Sequence, residues 1–121
     1  PGFHGLLAAL DWAKENPCDV PAVLVLLSAL RSGLAAAGAR VIAPEGECTP
    51  VVSFTVPGVP ASEIGYMLSE GAGIVCRTGL HCAPRVFRCL GVPETVRLSL
   101  SRFTTELEVE ETVAALSAAL S

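Results

Sequence analysis

The residues with the clearest chemical potential are a histidine and a cysteine that stand side by side in the stretch RTGLHCAPRVFRCLG. A cysteine reacts as a thiolate, which nearby cations, a helix N-terminus and partial exposure all favour. For Cys82, Pro84 suits the first position of a following helix, and His81 can add a charge or carry a proton. Arginines flank the cysteine on both sides along the sequence: Arg77, Arg85 and Arg88. The pattern predicts a reactive thiol on a loop between a strand and a short helix.

The alternative is that Cys82 is a small apolar residue, because free cysteine is among the most buried residue types. The loop by itself leaves both interpretations open. Cys76 falls in an alternating apolar strand pattern and Cys89 lies among apolar residues, so both are expected in the core. Cys18 and Cys48 occur in polar connections, where exposure is expected, with no cations gathered near them. Cys82 is therefore the candidate nucleophile.

Zinc binding is the other chemistry that cysteine and histidine suggest. The candidate ligands have spacings that match no finger, ribbon or knuckle: Cys76, His81, Cys82 and Cys89. The sequence also contains no phosphate-binding loop, no dinucleotide-binding glycine pattern and no nucleophile-elbow motif. No metal site is expected, and the chemistry is assigned to the thiol.

Four segments carry apolar residues at helical spacing, and their ends have recognisable signals. Asp19 offers an N-cap for the second helix, and Thr105 and Glu108 have the spacing of a capping box for the last one. Gly38 is a natural stop for the second helix. The helices are predicted from Phe3 to Glu15, from Val20 to Gly38, from Pro60 to Glu70 and after Thr105, with a shorter one starting at Pro84.

Four other segments are rich in β-branched residues with a period near two, which predicts strands. They are Arg40 to Ala43, Val51 to Val56, Ile74 to Arg77 and Thr95 to Leu100, the first two separated by PEGECTP. Arg97 lies on the strand face opposite the apolar residues, so its side chain is predicted to point away from the core. The element order contains no long parallel βαβ series. It predicts an α+β fold, a small and largely antiparallel four-stranded sheet with helices on one face and the other face free to meet something else.

Composition limits the class of protein. With 121 residues, 51% of them hydrophobic, the chain suits one compact domain. A net charge of −4 with scattered basic residues argues against a nucleic-acid binder. Five cysteines, an odd number with no C-x-x-C pair, favour a reducing compartment, so a cytoplasmic location is expected. The apolar runs are too short for a membrane span, and the start at Pro1 without a leader predicts a soluble piece of a longer polypeptide.

Two segments of the chain resemble a known family. GIVCRTGLHCAP and TVRLSLSRFTTELEVEETVAAL are similar to the C-terminal part of a cysteine desulfurase of the class V aminotransferase group, and R-x-G-x-H-C-A is the motif of its short-loop kind. The opening PGFHGLLAALDW resembles the helix that follows the large cofactor domain in that family. The resemblance therefore covers essentially the whole chain. It implies that residues 1–121 form a single C-terminal small domain, and that the large domain that binds pyridoxal phosphate is absent from this sequence.

The resemblance also implies roles for individual residues. Cys82 occupies the position of the cysteine that attacks the sulfur of L-cysteine, or of a related small amino acid, held on pyridoxal phosphate, and the products are L-alanine and an enzyme persulfide. His81 joins it as a catalytic candidate. Arg97 matches the arginine that binds the substrate carboxylate, a group that a guanidinium suits. Arg77 is a second candidate for substrate binding.

The cofactor-binding residues of the family have no counterpart in this chain. Lys14 is the only lysine, and the family's Schiff-base lysine and phosphate-binding residues belong to the large domain. The fragment alone is therefore expected to bind no pyridoxal phosphate and to be inactive. For the intact enzyme, the family implies a homodimer and a sulfur-acceptor protein that serves the assembly of iron–sulfur clusters or cofactors.

The chain departs from many relatives where Pro84 directly follows Ala83 and where RVF comes next. The second difference leaves the substrate preference open, so selenocysteine lyase is an alternative within the same chemistry. Two further alternatives are a class V aminotransferase or epimerase in which Cys82 is incidental, and a non-catalytic dimerisation or interaction domain.

Overall fold

The computed structural model describes residues 2–43 and 49–121, which form five helices and four strands in the predicted order. The helices are α1 (Gly2–Glu15), α2 (Val20–Ala36), α3 (Ala61–Ala72), α4 (Pro84–Leu90) and α5 (Glu106–Ala119). The strands are β1 (Arg40–Ile42), β2 (Val51–Thr55), β3 (Arg77–Gly79) and β4 (Thr95–Ser99). The predicted exposure of Cys48, and most of the connection between the first two strands, lie outside the described residues.

Local side chains determine where the helices start and stop. The Asp19 carboxylate accepts a hydrogen bond from the N–H of Ala22 at 3.0 Å and starts α2. The predicted capping box of α5 is present: the Thr105 hydroxyl accepts from the Glu108 N–H at 3.3 Å, and the Glu108 carboxylate accepts from the Thr105 N–H at 2.7 Å. Gly73, left-handed with φ 67°, ends α3. These signals are all close in sequence to the ends that they cap.

The four described strands form one antiparallel sheet in the order β1-β2-β4-β3. One face of this sheet packs against α2 and α3, α5 packs against those two helices, and the core forms between these elements. Buried side chains of the two layers meet there: Val52, Phe54, Val96, Leu27, Leu34, Ile64, Leu68 and Leu116. Each contributes about 1.5–3 kcal/mol by leaving water. The predicted α+β fold, with helices on one face of a small antiparallel sheet, is confirmed.

The third strand lies further along the chain than predicted. The predicted range, 74–77, overlaps β3 at its first residue only. The alternation behind the prediction exists, because Val75 is 91% exposed between two neighbours that pack against the core. Ladder pairing, however, begins only at Arg77, opposite Arg97 of β4. The alternation over residues 74–77 indicates extended backbone. The residue at which β3 begins is determined by its pairing with β4.

Helix α4 buries fewer side chains than predicted. Cys89, expected in the core, is exposed. The buried residue of this helix is Phe87, while Val86 and Leu90 are 53% and 45% exposed. A helix of seven residues has about two turns, so only a narrow stripe of its side chains faces the rest of the chain. The prediction that Cys89 is a core residue is wrong.

Helix α1 has no buried residue, although its apolar side chains have the predicted helical spacing. It contacts the body of the domain near its C-terminal end, where Trp12 stacks on Phe103 with ring centroids 6.0 Å apart. The Arg102 guanidinium lies 4.9 Å from the centre of the Trp12 ring and donates a hydrogen bond to the Asn16 carbonyl. Within the described ranges no single helix is long and apolar enough to cross a membrane, and α1 with α2, bent by 89°, meets the criteria of length and composition only as a pair.

Candidate functional site

The loop between β3 and α4 carries the candidate nucleophile in a left-handed turn. Gly79 has φ 97°, and His81 and Cys82 have φ 49° and 60°. Left-handed backbone costs a residue with a Cβ roughly 1–2 kcal/mol, so the turn needs support from its surroundings. The N–H of Ala83 donates to the carbonyl of Leu80 at 2.9 Å and closes the turn. Cys82 is exposed at its end.

Arg77 places a positive charge beside the thiol. Its Nη2 lies 3.6 Å from the Cys82 sulfur and donates a hydrogen bond to it. A guanidinium in this place stabilises negative charge on the sulfur. Arg85 and Arg88, the other predicted cations, are exposed residues of α4. The structure therefore brings one of the three predicted arginines into contact with the cysteine.

His81 is half-buried and contacts the sheet. Its Nε2 lies 2.9 Å from the Thr95 hydroxyl oxygen, and its ring centroid is 5.8 Å from that of Phe87. Its Nδ1 is buried with no hydrogen-bond partner in the described part of the chain. Burial lowers the pKa of His81, the charges of Arg97 and Arg77 lower it further, and a hydrogen bond with the backbone of Thr95 acts in the opposite direction. His81 is therefore neutral at neutral pH, and the positive charge near the sulfur comes from Arg77.

Arg97 lies on the sheet face opposite the helices, as its place in the strand predicted. It is the Cα partner of Arg77 on one side and of Ser53 on the other, and partners across a ladder point to the same face. Arg97 is half-buried, and no carboxylate of the described residues forms an ion pair with either arginine. Two guanidiniums thus share one face beside the Cys82 loop. This arrangement suits a small anion such as a carboxylate.

Thr95 is a site residue that the sequence did not single out. It is 1% exposed and lies two positions before Arg97, on the same face of β4. Because Thr95 is buried, the sheet face is covered at this position, where His81 contacts it. The sequence had predicted that this face would be free. The sequence did contain a signal for Thr95, since it is a polar residue on the same face of β4 as Arg97.

The other described cysteines differ from Cys82 in exposure or surroundings. Cys18 and Cys89 are exposed, and Cys76 is half-buried. Burial raises the pKa of the Cys76 thiol, which disfavours its reactive form. No three His, Cys, Asp or Glu side chains in residues 2–43 and 49–121 come together as ligands for a metal ion. Cys82 is the described thiol that combines exposure with a hydrogen bond from a cation.

We expect Cys82 to be alkylated faster than any other thiol of the chain, because it is exposed beside the Arg77 guanidinium. The measurement is labelling with a limiting amount of iodoacetamide, followed by peptide mapping of every cysteine. Cys18 and Cys89 are internal controls for simple exposure. Arg77→Met should lower the Cys82 rate toward theirs. If Cys89 or Cys76 is labelled first, the assignment of the nucleophile is wrong.

Comparison with known proteins identifies the family of the chain and relatives of its fold. Residues 1–112 match the family model described as aminotransferase class-V. The chain is 32% identical over 118 residues to a probable cysteine desulfurase of Xylella fastidiosa, and 34% identical over 119 residues to a cysteine desulfurase of Cronobacter sakazakii, in each case 95% of this chain. The crystal structure of the cysteine desulfurase CsdA from Escherichia coli covers 96% of this chain with a TM-score of 0.84 and 30% identity.

The fold is that of a domain found in cysteine desulfurases, and its candidate site presents a cysteine in contact with Arg77, which pairs with Arg97 in the sheet. The chain belongs to the class-V aminotransferase family, as the sequence resemblance implied. It spans 28% of the length of the Xylella relative and 29% of the other two. Most of each relative therefore has no counterpart in this sequence.

Proposed function

We propose that the protein to which this chain belongs is a cysteine desulfurase that converts L-cysteine to L-alanine and leaves a persulfide on Cys82. The observation that carries the proposal is the exposed sulfur of Cys82 beside Arg77, on the loop next to the strand of Arg97. In this proposal the chain is the C-terminal small domain of the enzyme. We also propose a cytoplasmic location, because a catalytic thiol has to stay free and a reducing compartment keeps it so.

The Cys82 sulfur forms a bond to the substrate sulfur while the bond between the substrate Cβ and its sulfur breaks. The electron pair of that bond stays on the carbon, which takes up a proton and becomes the methyl group of alanine. One hydrogen remains on the outer sulfur of the persulfide, so the step balances without an external oxidant. Arg77 stabilises negative charge on Cys82 before attack. Arg97 binds the substrate carboxylate through two parallel hydrogen bonds and so orients the sulfur toward Cys82.

The family implies pyridoxal phosphate, which supplies an electron sink when it is bound. The residues of this chain do not fit as its holder. Lys14, the only lysine of the sequence, has a side chain that is 77% exposed on α1 and pairs with Asp11 at 3.4 Å. We assign the Schiff-base lysine and the phosphate-binding residues to a large domain outside this sequence, and we expect this chain by itself to bind no cofactor.

The short loop restricts where the sulfur can go after the reaction. Residues 78–81 separate Arg77 from Cys82, and α4 starts at Pro84. An extended residue spans about 3.3–3.6 Å, so a loop anchored at both ends cannot carry a persulfide far. The acceptor in this proposal is a small protein whose own thiol reaches into the site. The proposed homodimer of the intact enzyme rests on the family alone.

The test is alanine formation from L-cysteine by the full natural reading frame, with and without candidate acceptor proteins. We expect slow turnover by the enzyme alone and several-fold stimulation by a productive acceptor. The isolated 121-residue chain is the control and should form no alanine. Equal rates with and without every acceptor would refute the acceptor proposal. Selenide release from L-selenocysteine without alanine from L-cysteine would identify a selenocysteine lyase instead. Loss of both activities in folded, cofactor-loaded protein would refute both.

A further inference from the structure

A buried threonine connects the loop of Cys82 to the strand of Arg97. Thr95 is 1% exposed, and its hydroxyl oxygen lies 2.9 Å from Nε2 of His81, the residue that precedes Cys82. Thr95 and Arg97 share a face of β4 because they are two positions apart. Strand β4 thus carries Arg97, the candidate carboxylate-binding residue. Through Thr95 and His81 it also contacts the loop of Cys82, the candidate nucleophile.

Strand packing alone does not explain the hydroxyl of Thr95. Valine has nearly the same shape and would fill a buried strand position without a polar atom that needs a partner. Thr112, also buried, hydrogen-bonds to the Glu108 carbonyl within its own helix at 2.7 Å. Thr95 instead contacts a side chain fourteen residues away along the chain. That side chain belongs to a turn in which two successive residues with a Cβ, His81 and Cys82, are left-handed.

The ring of His81 is fixed by few interactions, so each of them matters for the turn. The ring lies against Phe87, with centroids 5.8 Å apart and the planes tilted by 52°, and Phe87 is itself 6% exposed. The buried Nδ1 has no hydrogen-bond partner among the described residues, so the contact of Nε2 with the Thr95 hydroxyl is the side-chain hydrogen bond that orients the ring there. An imidazole held in this way also holds the backbone of His81, and hence the residue that follows it.

We propose that Thr95 is a positioning residue for Cys82: its hydrogen bond to His81 keeps the left-handed turn in place and so holds the sulfur against Arg77, at a fixed position relative to Arg97. Thr95 touches neither the substrate nor the reacting sulfur in this account. Without the hydrogen bond the turn relaxes toward backbone conformations that residues with a Cβ prefer, and the sulfur leaves the guanidinium. The inference deepens the proposed function, since it concerns the same thiol.

The test measures the alkylation rate of Cys82 relative to that of Cys18, an exposed thiol in the same molecule, in the 121-residue chain. Thr95→Val removes the hydroxyl and keeps the shape, Thr95→Ser keeps the hydroxyl, and Thr112→Val is the matched control at a buried threonine of α5. We expect Thr95→Val to lower the ratio about fivefold, as for loss of one hydrogen bond. Thr95→Ser and Thr112→Val should stay within about twofold of the original chain. A Thr95→Val chain that is folded by circular dichroism and keeps the original ratio would overturn the proposal.

A second measurement needs no substitution and decides the matter if Thr95→Val fails to fold. Long-range proton–nitrogen spectra of the original chain report which ring nitrogen of each histidine carries the proton. His4, exposed on α1, is the internal reference for a ring without such a contact. We expect a single tautomer for His81 and an averaged signal for His4. Averaged nitrogen shifts for His81 that match those of His4 would overturn the proposal.

Neither the alkylation rates nor the nitrogen spectra need substrate or cofactor. The positioning role of Thr95 can therefore be tested independently of the desulfurase activity. In the intact enzyme, Thr95→Val should lower kcat and leave KM for L-cysteine unchanged, because Arg97 is untouched. A normal kcat combined with slow alkylation would show that the turn is not needed for catalysis and would also refute the proposal. An intact enzyme without any desulfurase activity, beside the expected alkylation result, would refute the proposed function alone.

Discussion

Replacement of Cys82 by alanine in the intact enzyme will reduce alanine formation from L-cysteine on the order of 10³-fold or more, since removal of a nucleophile has effects of this size or larger. Alanine has no atom that can form the sulfur–sulfur bond. The turn should survive the change, because alanine at φ 60° costs about as much as cysteine does. The measurement is the initial rate of alanine release, together with mass spectrometry of the peptide that contains residue 82 for an added sulfur.

Cys89→Ala is the matched control for this prediction. Cys89 is also exposed and lies seven residues further along, on α4. Its replacement should leave both the rate and the persulfide unchanged. If Cys82→Ala keeps its activity, or if Cys89→Ala loses it, the nucleophile has been assigned to the wrong thiol. Transamination or epimerisation of an amino acid that is unchanged in the Cys82→Ala enzyme, with no alanine formed from L-cysteine by the original enzyme, would favour an aminotransferase or epimerase in which Cys82 is incidental.

Arg97→Ala should reduce kcat/KM for L-cysteine by at least about tenfold, mainly through a higher KM. A hydrogen bond to a charged group is worth about 1.5–3 kcal/mol, and a guanidinium can form two of them with a carboxylate. Arg97 is half-buried on the open sheet face without an acidic partner among the described residues, so its loss leaves the substrate carboxylate unpaired. Steady-state kinetics and the absorbance of the bound cofactor measure the two effects separately, and the absorbance should not change.

Two variants control for charge and for the sheet. Arg97→Lys keeps the charge but loses the planar fork, and it should recover only part of the lost efficiency. Arg40→Ala removes an exposed arginine on the same sheet face, two strands away on β1, and should leave kcat/KM unchanged. An Arg97→Ala enzyme with unchanged KM and kcat would assign Arg97 to a structural role.

Much of the fold could be predicted because its signals are local. Asp19, Thr105 and Gly73 act on groups within a few residues of themselves, so the helix ends appear in the sequence itself. The bounds of β3 could not be predicted in this way, since they depend on pairing with Arg97 of a strand that comes later in the chain. Cys89 is exposed because only a small part of α4 contacts the rest of the domain, and the apolar composition of this helix does not reveal that.

The residue types of the candidate site could be predicted, but their contacts could not. The motif around Cys82 and the face of Arg97 were visible in the sequence. The left-handed backbone at His81 was not, because histidine and cysteine have no preference for it comparable to that of glycine. The contact with Thr95 depends on that turn, and so does the neutral state of His81. A tertiary contact of this kind has no periodic signature in a sequence.

The pairing of Arg77 with Arg97 limits how this site can diverge during evolution. Side chains alternate along a strand, so an insertion or deletion of one residue within β3 would turn Arg77 toward the helices and away from Cys82. The distance between the two guanidiniums therefore cannot change gradually through such insertions or deletions, because a shift of one residue moves Arg77 to the other face of the sheet. The loop at residues 80–83 is not paired in the sheet, so Leu80 and Ala83 can vary while both arginines, His81 and Cys82 stay in place. Descendants of this sequence would acquire new substrates through that loop, whereas the strands on either side would stay constant in length.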